Sequence, residues 1–167
     1  MDLHPALEPL APLVGTWEGA GEGEYPTIKN FDYIEEISFT NIGKPFLEYR
    51  QRTWNAENAL MHVETGYLRV PAPDTVEFVL ALPTGQVELC EGRLEVAKDE
   101  IRLFLEGRIL NTSTAKQVDA TSRSYALVGD ALKTSFDMAA VNHPLQRHLT
   151  SNLSRAEQSS ERITSVP

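Results

Sequence analysis

At 167 residues, with 41% hydrophobic side chains, the chain is long enough to build one domain around a substantial core. A net charge of −9 argues against nucleic acid and anionic membrane as principal partners, and no apolar run approaches membrane-spanning length. The single cysteine, Cys90, rules out an intrachain disulfide and fits a reducing, cytoplasmic setting, and the acid at position 2 with no following apolar segment argues against a secretory signal.

From the N-terminus, Leu7, Leu10, Leu13 and Val14 recur at helix-like spacing among Pro5, Pro9 and Pro12, which predicts either a short helical turn over one end of the fold or a packed leader. Then come short alternating runs: Gly15–Thr27, Asp32–Thr40, Phe46–Trp54, Met61–Val70, Val76–Leu82, Val87–Val96, Ile101–Ile109, Lys116–Val128 and Leu132–Val141. Turn residues separate them about every ten positions, as in Asn41-Ile42-Gly43-Lys44-Pro45, Pro71-Ala72-Pro73-Asp74, Pro83-Thr84-Gly85 and Gly129-Asp130. This spacing predicts an all-β, antiparallel up-and-down sheet, closed as a barrel or folded as a sandwich, in one domain over 1–167. Fraying is expected at 1–6 and 156–167.

Gly15–Thr27 is the most unusual stretch. With a strand period of two, Gly15, Trp17, Gly19, Gly21, Gly23 and Tyr25 share one face, and Thr16, Glu18, Ala20, Glu22 and Glu24 the other. A face with so little side-chain volume implies that another backbone crosses closely, that the strand bends, or that a flat ligand lies against it. It is not a phosphate loop: no βαβ unit surrounds it, and its three glutamates would repel phosphate.

The segment from Asn142 to Arg155 fits two forms. As a helix, Leu145, His148, Leu149, Asn152 and Leu153 share a face; as a strand, His148, Thr150 and Asn152 face opposite to Leu145, Leu149 and Leu153. The four histidines, His4, His62, His143 and His148, show no metalloprotease spacing. His62, beside Met61, has the ordinary reading of a satisfied or surface strand residue. His148, flanked by apolar neighbours, could ligate a haem iron as a neutral imidazole, although by itself it too has the ordinary reading of a satisfied residue. Glu35, Glu48, Glu64 and Glu88 alternate along strands, a pattern more common for solvated faces than for a catalytic carboxylate pair.

Four blocks together resemble the nitrobindin family, small haem proteins of the calycin group. They are Gly15-Thr16-Trp17-Glu18-Gly19-Ala20-Gly21 with Tyr25-Pro26-Thr27, then Gly43-Lys44-Pro45, then Met61 to Arg69, then Pro144-Leu145-Gln146-Arg147-His148-Leu149. The resemblance spans about Leu7 to Arg155. It implies a ten-stranded lipocalin- or fatty-acid-binding-protein-like barrel with one haem b in an open end, and so a strand for the last segment. It further implies His148 as the axial iron ligand, with Thr27, His62, Lys116, Gly19 and Gly21 around the cofactor. Arg147, next to the ligand, would point away.

The activity implied is isomerisation of peroxynitrite to nitrate at ferric haem, with nitric oxide binding as a companion property and no catalytic group beyond the haem iron. Two other readings stand beside it. One is a sensor or carrier of haem or nitric oxide. The other is a haem-free barrel for an apolar ligand whose carboxylate would meet Arg50, Arg52 and Tyr125. Oligomeric state is left open.

Overall fold

The computed structural model describes residues 1–157. Its ten strands are β1 (Gly15–Gly23), β2 (Phe31–Asn41), β3 (Leu47–Trp54), β4 (Leu60–Ala72), β5 (Thr75–Leu82), β6 (Gln86–Ala97), β7 (Glu100–Asn111), β8 (Val118–Val128), β9 (Ala131–Ala140) and β10 (Gln146–Arg155). Each pairs antiparallel with its neighbours in sequence, and β1 pairs with β10 from Trp17 to Gly23, closing a ten-stranded up-and-down barrel. The helical alternative for the last segment is thereby excluded: as a helix it would leave both β1 and β9 with an unpaired edge. The nine runs of the sequence coincide with β1–β9 to within a few residues. The largest difference is at β1, which stops at Gly23, and Thr27 lies beyond it in a loop.

A 3-10 helix over Pro5–Leu13 covers one end. Three residues per turn place Leu7, Leu10 and Leu13 on one buried face, where they meet Trp17 in the main core cluster. The Trp17 indole N–H donates to the Leu13 carbonyl at 2.9 Å, and the Arg155 guanidinium lies 4.3 Å from the ring centroid. Arg155 also donates to the carbonyls of Val14 and Pro12, tying the helix to β10. Residues 1–6, expected to fray, are tied down here: Asn41 donates to the Met1 carbonyl, and Ala6 N–H donates to the His4 ring. Of the expected tail, Ala156 still donates to Thr16, and 158–167 lie outside the described residues. Among the described residues no helix is long and apolar enough to cross a membrane.

The interior is layered along the barrel axis. On β4, Leu68 belongs to the apolar floor, Glu64 is buried above it, and His62 is half-exposed near the opposite end. On β8 the same progression runs Leu127, Tyr125, Arg123, Thr121, and on β6 Leu94, Cys90, Glu88, Gln86. Strand alternation thus gives an apolar floor, a polar middle and an open mouth.

Candidate functional site

The mouth holds a cavity of about 370 Å³, within the range of small-molecule sites. Its apolar walls include Phe31, Leu82, Ile109, Val118, Phe136, Met138 and Leu149. His62, Lys116 and His148 also line it; Thr27, Gly19 and Gly21 do not. Thr27 is exposed in the β1–β2 loop. The glycine face instead accommodates close packing: a Cβ on Gly19 would strike the Asn152 carbonyl of β10, and one on Gly21 would strike the Tyr33 ring and the Ser151 hydroxyl. Of the readings open for those glycines, close approach of neighbouring groups is the one realised.

His148 lines the cavity because β10 carries a bulge. Arg147 pairs with Asp137 and Leu149 with Phe136, and His148 between them has no partner on β9. Simple alternation would send His148 outward with Thr150 and Asn152, but the inserted residue lets His148 and Leu149 both line the cavity. Arg147 stays exposed, ion-paired with Asp137.

The imidazole is firmly placed. Its Nδ1 lies 2.9 Å from the Glu24 carbonyl oxygen, which can only accept, so Nδ1 carries a proton and, in the neutral imidazole, Nε2 is the nitrogen with the free lone pair. The rings of Tyr25, Phe31 and Phe136 surround it at centroid distances of 5.3, 6.4 and 6.2 Å. Tyr25 is itself anchored, its hydroxyl accepting from Ala140 N–H and donating to carbonyls of β9.

The inner end of the cavity is lined by an ionic cluster that strand alternation alone did not identify. Arg123 donates to Glu64 at 2.7 and 2.9 Å, and to Glu88 at 2.6, 3.1 and 3.1 Å. Thr121 and Cys90 donate to Glu88, and Tyr49 to Glu64. Glu64 and Glu88 are 2% and 1% exposed, so the expectation of solvated faces fails for both, and for Glu35, while Glu48 does face solvent. Burial alone would raise the Glu64 carboxyl. The Arg123 charge and the hydrogen bonds from His62 and Arg123 outweigh it and bring the pKa to about 2. The His62 ring, at the mouth, lies 3.5 Å from Glu64.

Glu35 has a different environment. Gln51 donates to its Oε1, while Glu35 Oε2 and Gln51 Oε1 are buried without partners among the described residues. Burial raises this carboxyl above the ordinary value, against the hydrogen bonds of Ser151 and Gln51. One sequence signal did point inward, since Glu35 shares its face with Tyr33, Ile37 and Phe39, all buried.

The fatty-acid-like arrangement loses its cations. Arg50 and Arg52 lie on the outward phase of β3, between the buried Tyr49, Gln51 and Thr53. The interior arginine is Arg123, which already carries two carboxylates.

A closed ten-stranded antiparallel barrel with an apolar cavity at one end and a fixed imidazole in its wall defines a ligand-binding β-barrel protein. The THAP4-like, heme-binding beta-barrel domain family matches residues 6–155, and the chain belongs to that family, the nitrobindins that its motifs resemble. Among curated proteins it is 55% identical to "Peroxynitrite isomerase" of Nocardia farcinica over 92% of each chain. It is 50% identical to "Peroxynitrite isomerase 2" of Mycobacterium marinum, over 92% of this chain and 97% of that one. Among solved structures, the crystal structure of Rv2717c from M. tuberculosis superposes with a TM-score of 0.91 at 48% identity, covering 93% of this chain and all of that one.

Proposed function

We propose that the chain is a haem-dependent peroxynitrite isomerase that holds one haem b in the mouth cavity, with His148 Nε2 as the iron's protein ligand. The observation that carries this reading is the hydrogen bond from His148 Nδ1 to the Glu24 carbonyl. It fixes the tautomer and leaves Nε2 available, as a backbone carbonyl does behind metal-bound histidines generally. The donor set fits the group: one oriented imidazole, an apolar lining for a flat ring, and the exposed Lys116 at the rim for an anionic edge. The naming of several close relatives as peroxynitrite isomerases supports the activity.

When bound, haem would supply the iron chemistry that isomerises peroxynitrite to nitrate in the ferric form and binds nitric oxide in the ferrous form. The protein's part is to hold and shape. Phe31, Phe136 and Tyr25 keep the His148 ring from turning. The aliphatic and aromatic walls exclude water from the ring faces. Met61 and His62 line the cavity from β4, and Lys116 at the rim would pair with a propionate. Thr27 stays off the cavity walls, exposed in the β1–β2 loop beyond Tyr25. Gly19 and Gly21 act indirectly, by letting β10 and Tyr33 pack closely behind the site. No side chain need transfer a proton, because substrate and product are isomers.

The test is a haemin titration followed by absorbance on the parent and His148→Ala, then stopped-flow peroxynitrite decay with nitrate yield. Stoichiometric binding with a five-coordinate ferric spectrum, lost in the variant, and decay to nitrate faster than in free solution are expected. An unshifted Soret band in the parent would sink the reading.

A further inference from the structure

We infer that the buried Glu64–Arg123–Glu88 cluster selects the oxidation state of the haem, its excess negative charge favouring ferric over ferrous iron. The inference rests on the reading that the cavity holds haem through His148.

Two carboxylates face one guanidinium, so the cluster carries one net negative charge. Arg123 cannot lose its proton. Glu64, with a carboxyl pKa of about 2, is ionised at neutral pH. Glu88 accepts hydrogen bonds from Arg123, Thr121 and Cys90 and makes no donation, as befits a carboxylate. All three side chains are at least nine-tenths buried, so water screens the excess charge poorly. All three line the same cavity as His148. A single aromatic ring separates the cluster from the imidazole: Arg123 lies 4.7 Å from the Phe136 centroid, which is 6.2 Å from that of His148.

Other ionisable groups near the cluster include Lys116, Glu35 and His62. Lys116 is exposed at the rim, where solvent screens it, and Glu35 lies deeper among Tyr33, Gln51 and Ser151. His62 is half-exposed beside Glu64.

Reduction of ferric haem takes one electron from an external one-electron donor and removes one positive charge from the iron–porphyrin unit. A fixed negative charge nearby attracts the ferric form more strongly, so it opposes that step. The consequence fits the proposed chemistry. Isomerisation consumes no electrons, so iron held ferric turns over without a reductant, while reduction would divert the site to ferrous ligands.

The experiment is a spectroelectrochemical titration of the haem-loaded parent, Glu88→Gln, Glu64→Gln and the triple variant of both with Arg123→Met, with Glu18→Gln, on the outer face of β1, as the control. Thermal melts and the haemin stoichiometry of each variant accompany it. The midpoint potential is expected to rise in Glu88→Gln, in Glu64→Gln and in the triple variant, and to stay in place in Glu18→Gln. If one buried variant fails to fold, the other decides. If neither folds, the triple variant of Glu64→Gln, Glu88→Gln and Arg123→Met, which buries no unpaired charge, decides, and an unmoved midpoint in it overturns the inference. So do unmoved or lowered midpoints in the buried variants that bind haem. A parent that binds no haemin fails earlier and differently, and overturns the reading beneath.

Discussion

His148 and Glu24 are joined by two hydrogen bonds, ring Nδ1 to the Glu24 carbonyl at 2.9 Å and Glu24 N–H to the His148 carbonyl at 2.8 Å. The second bond locks the bulged residue of β10 to the loop after β1, and the first then orients its ring. Glu24→Pro removes the donor of the backbone bond without touching any cavity side chain. It is expected to weaken haem affinity about tenfold or more, the scale on which partners of metal ligands act, with the far-ultraviolet circular dichroism of the parent. Competition with apomyoglobin for haem measures it, and an unchanged affinity would show that the bulge holds itself.

Acid should destabilise the barrel through Glu64. Its pKa is lowered from 4.5 unfolded to about 2 folded, so its contribution is present above pH 4.5 and is lost as pH falls from there through about 2. The amount is on the order of 3 kcal/mol at about 1.4 kcal/mol per unit. Urea unfolding of the apoprotein at pH 6 and pH 3 should show the loss in the parent and a smaller one in Glu64→Gln.

Glu35 should act in the opposite sense. Its folded pKa is raised, so its contribution is fully present below the unfolded value of 4.5 and is lost as pH rises toward the folded value. Glu35→Gln keeps the shape and removes that loss. The variant's stability relative to the parent should therefore grow between pH 4 and pH 8 in urea titrations. A difference that is flat with pH would mean that Glu35 is as easily ionised inside the barrel as outside.

Arg123→Met should be among the most damaging single changes, at about 3–5 kcal/mol, because it leaves two buried carboxylates without their cation. Guanidinium unfolding reads this directly. The triple variant with Glu64→Gln and Glu88→Gln should recover much of the loss, since it buries no unpaired charge.

Gly19→Ala places a methyl group against the Asn152 backbone, which cannot swing aside as a side chain can. Separating β1 from β10 at the closing seam should cost about 1–3 kcal/mol and speed amide exchange in both strands. An unchanged melting temperature would show that the seam yields freely.

The strands themselves were legible because alternation and turn residues are local properties: a run such as Val76, Phe78, Leu80 and Leu82 ended by Pro83-Thr84-Gly85 has few alternatives. The spacing of Leu7, Leu10 and Leu13 was local too, but it suited a packed leader as well as a helical turn. The family was carried by motifs at four separated places, and the tenth strand came from that resemblance, since the local pattern also suited a helix. The site was only partly legible. His148, His62 and Lys116 do line one cavity, whereas Thr27, Gly19 and Gly21 lie off its walls.

Composition, strand period and motifs by themselves determined an all-β chain of the haem-binding barrel family with His148 as the residue to watch. Only the tertiary structure decided which way His148 faces, because its phase depends on how β10 pairs with β9, and one unpaired residue reverses it. The ionic floor likewise needed the closed barrel. Glu64, Glu88 and Arg123 come from β4, β6 and β8, far apart in sequence. A carboxylate on an alternating strand shows no sign of burial until the sheet curls and brings a cation across the barrel to meet it.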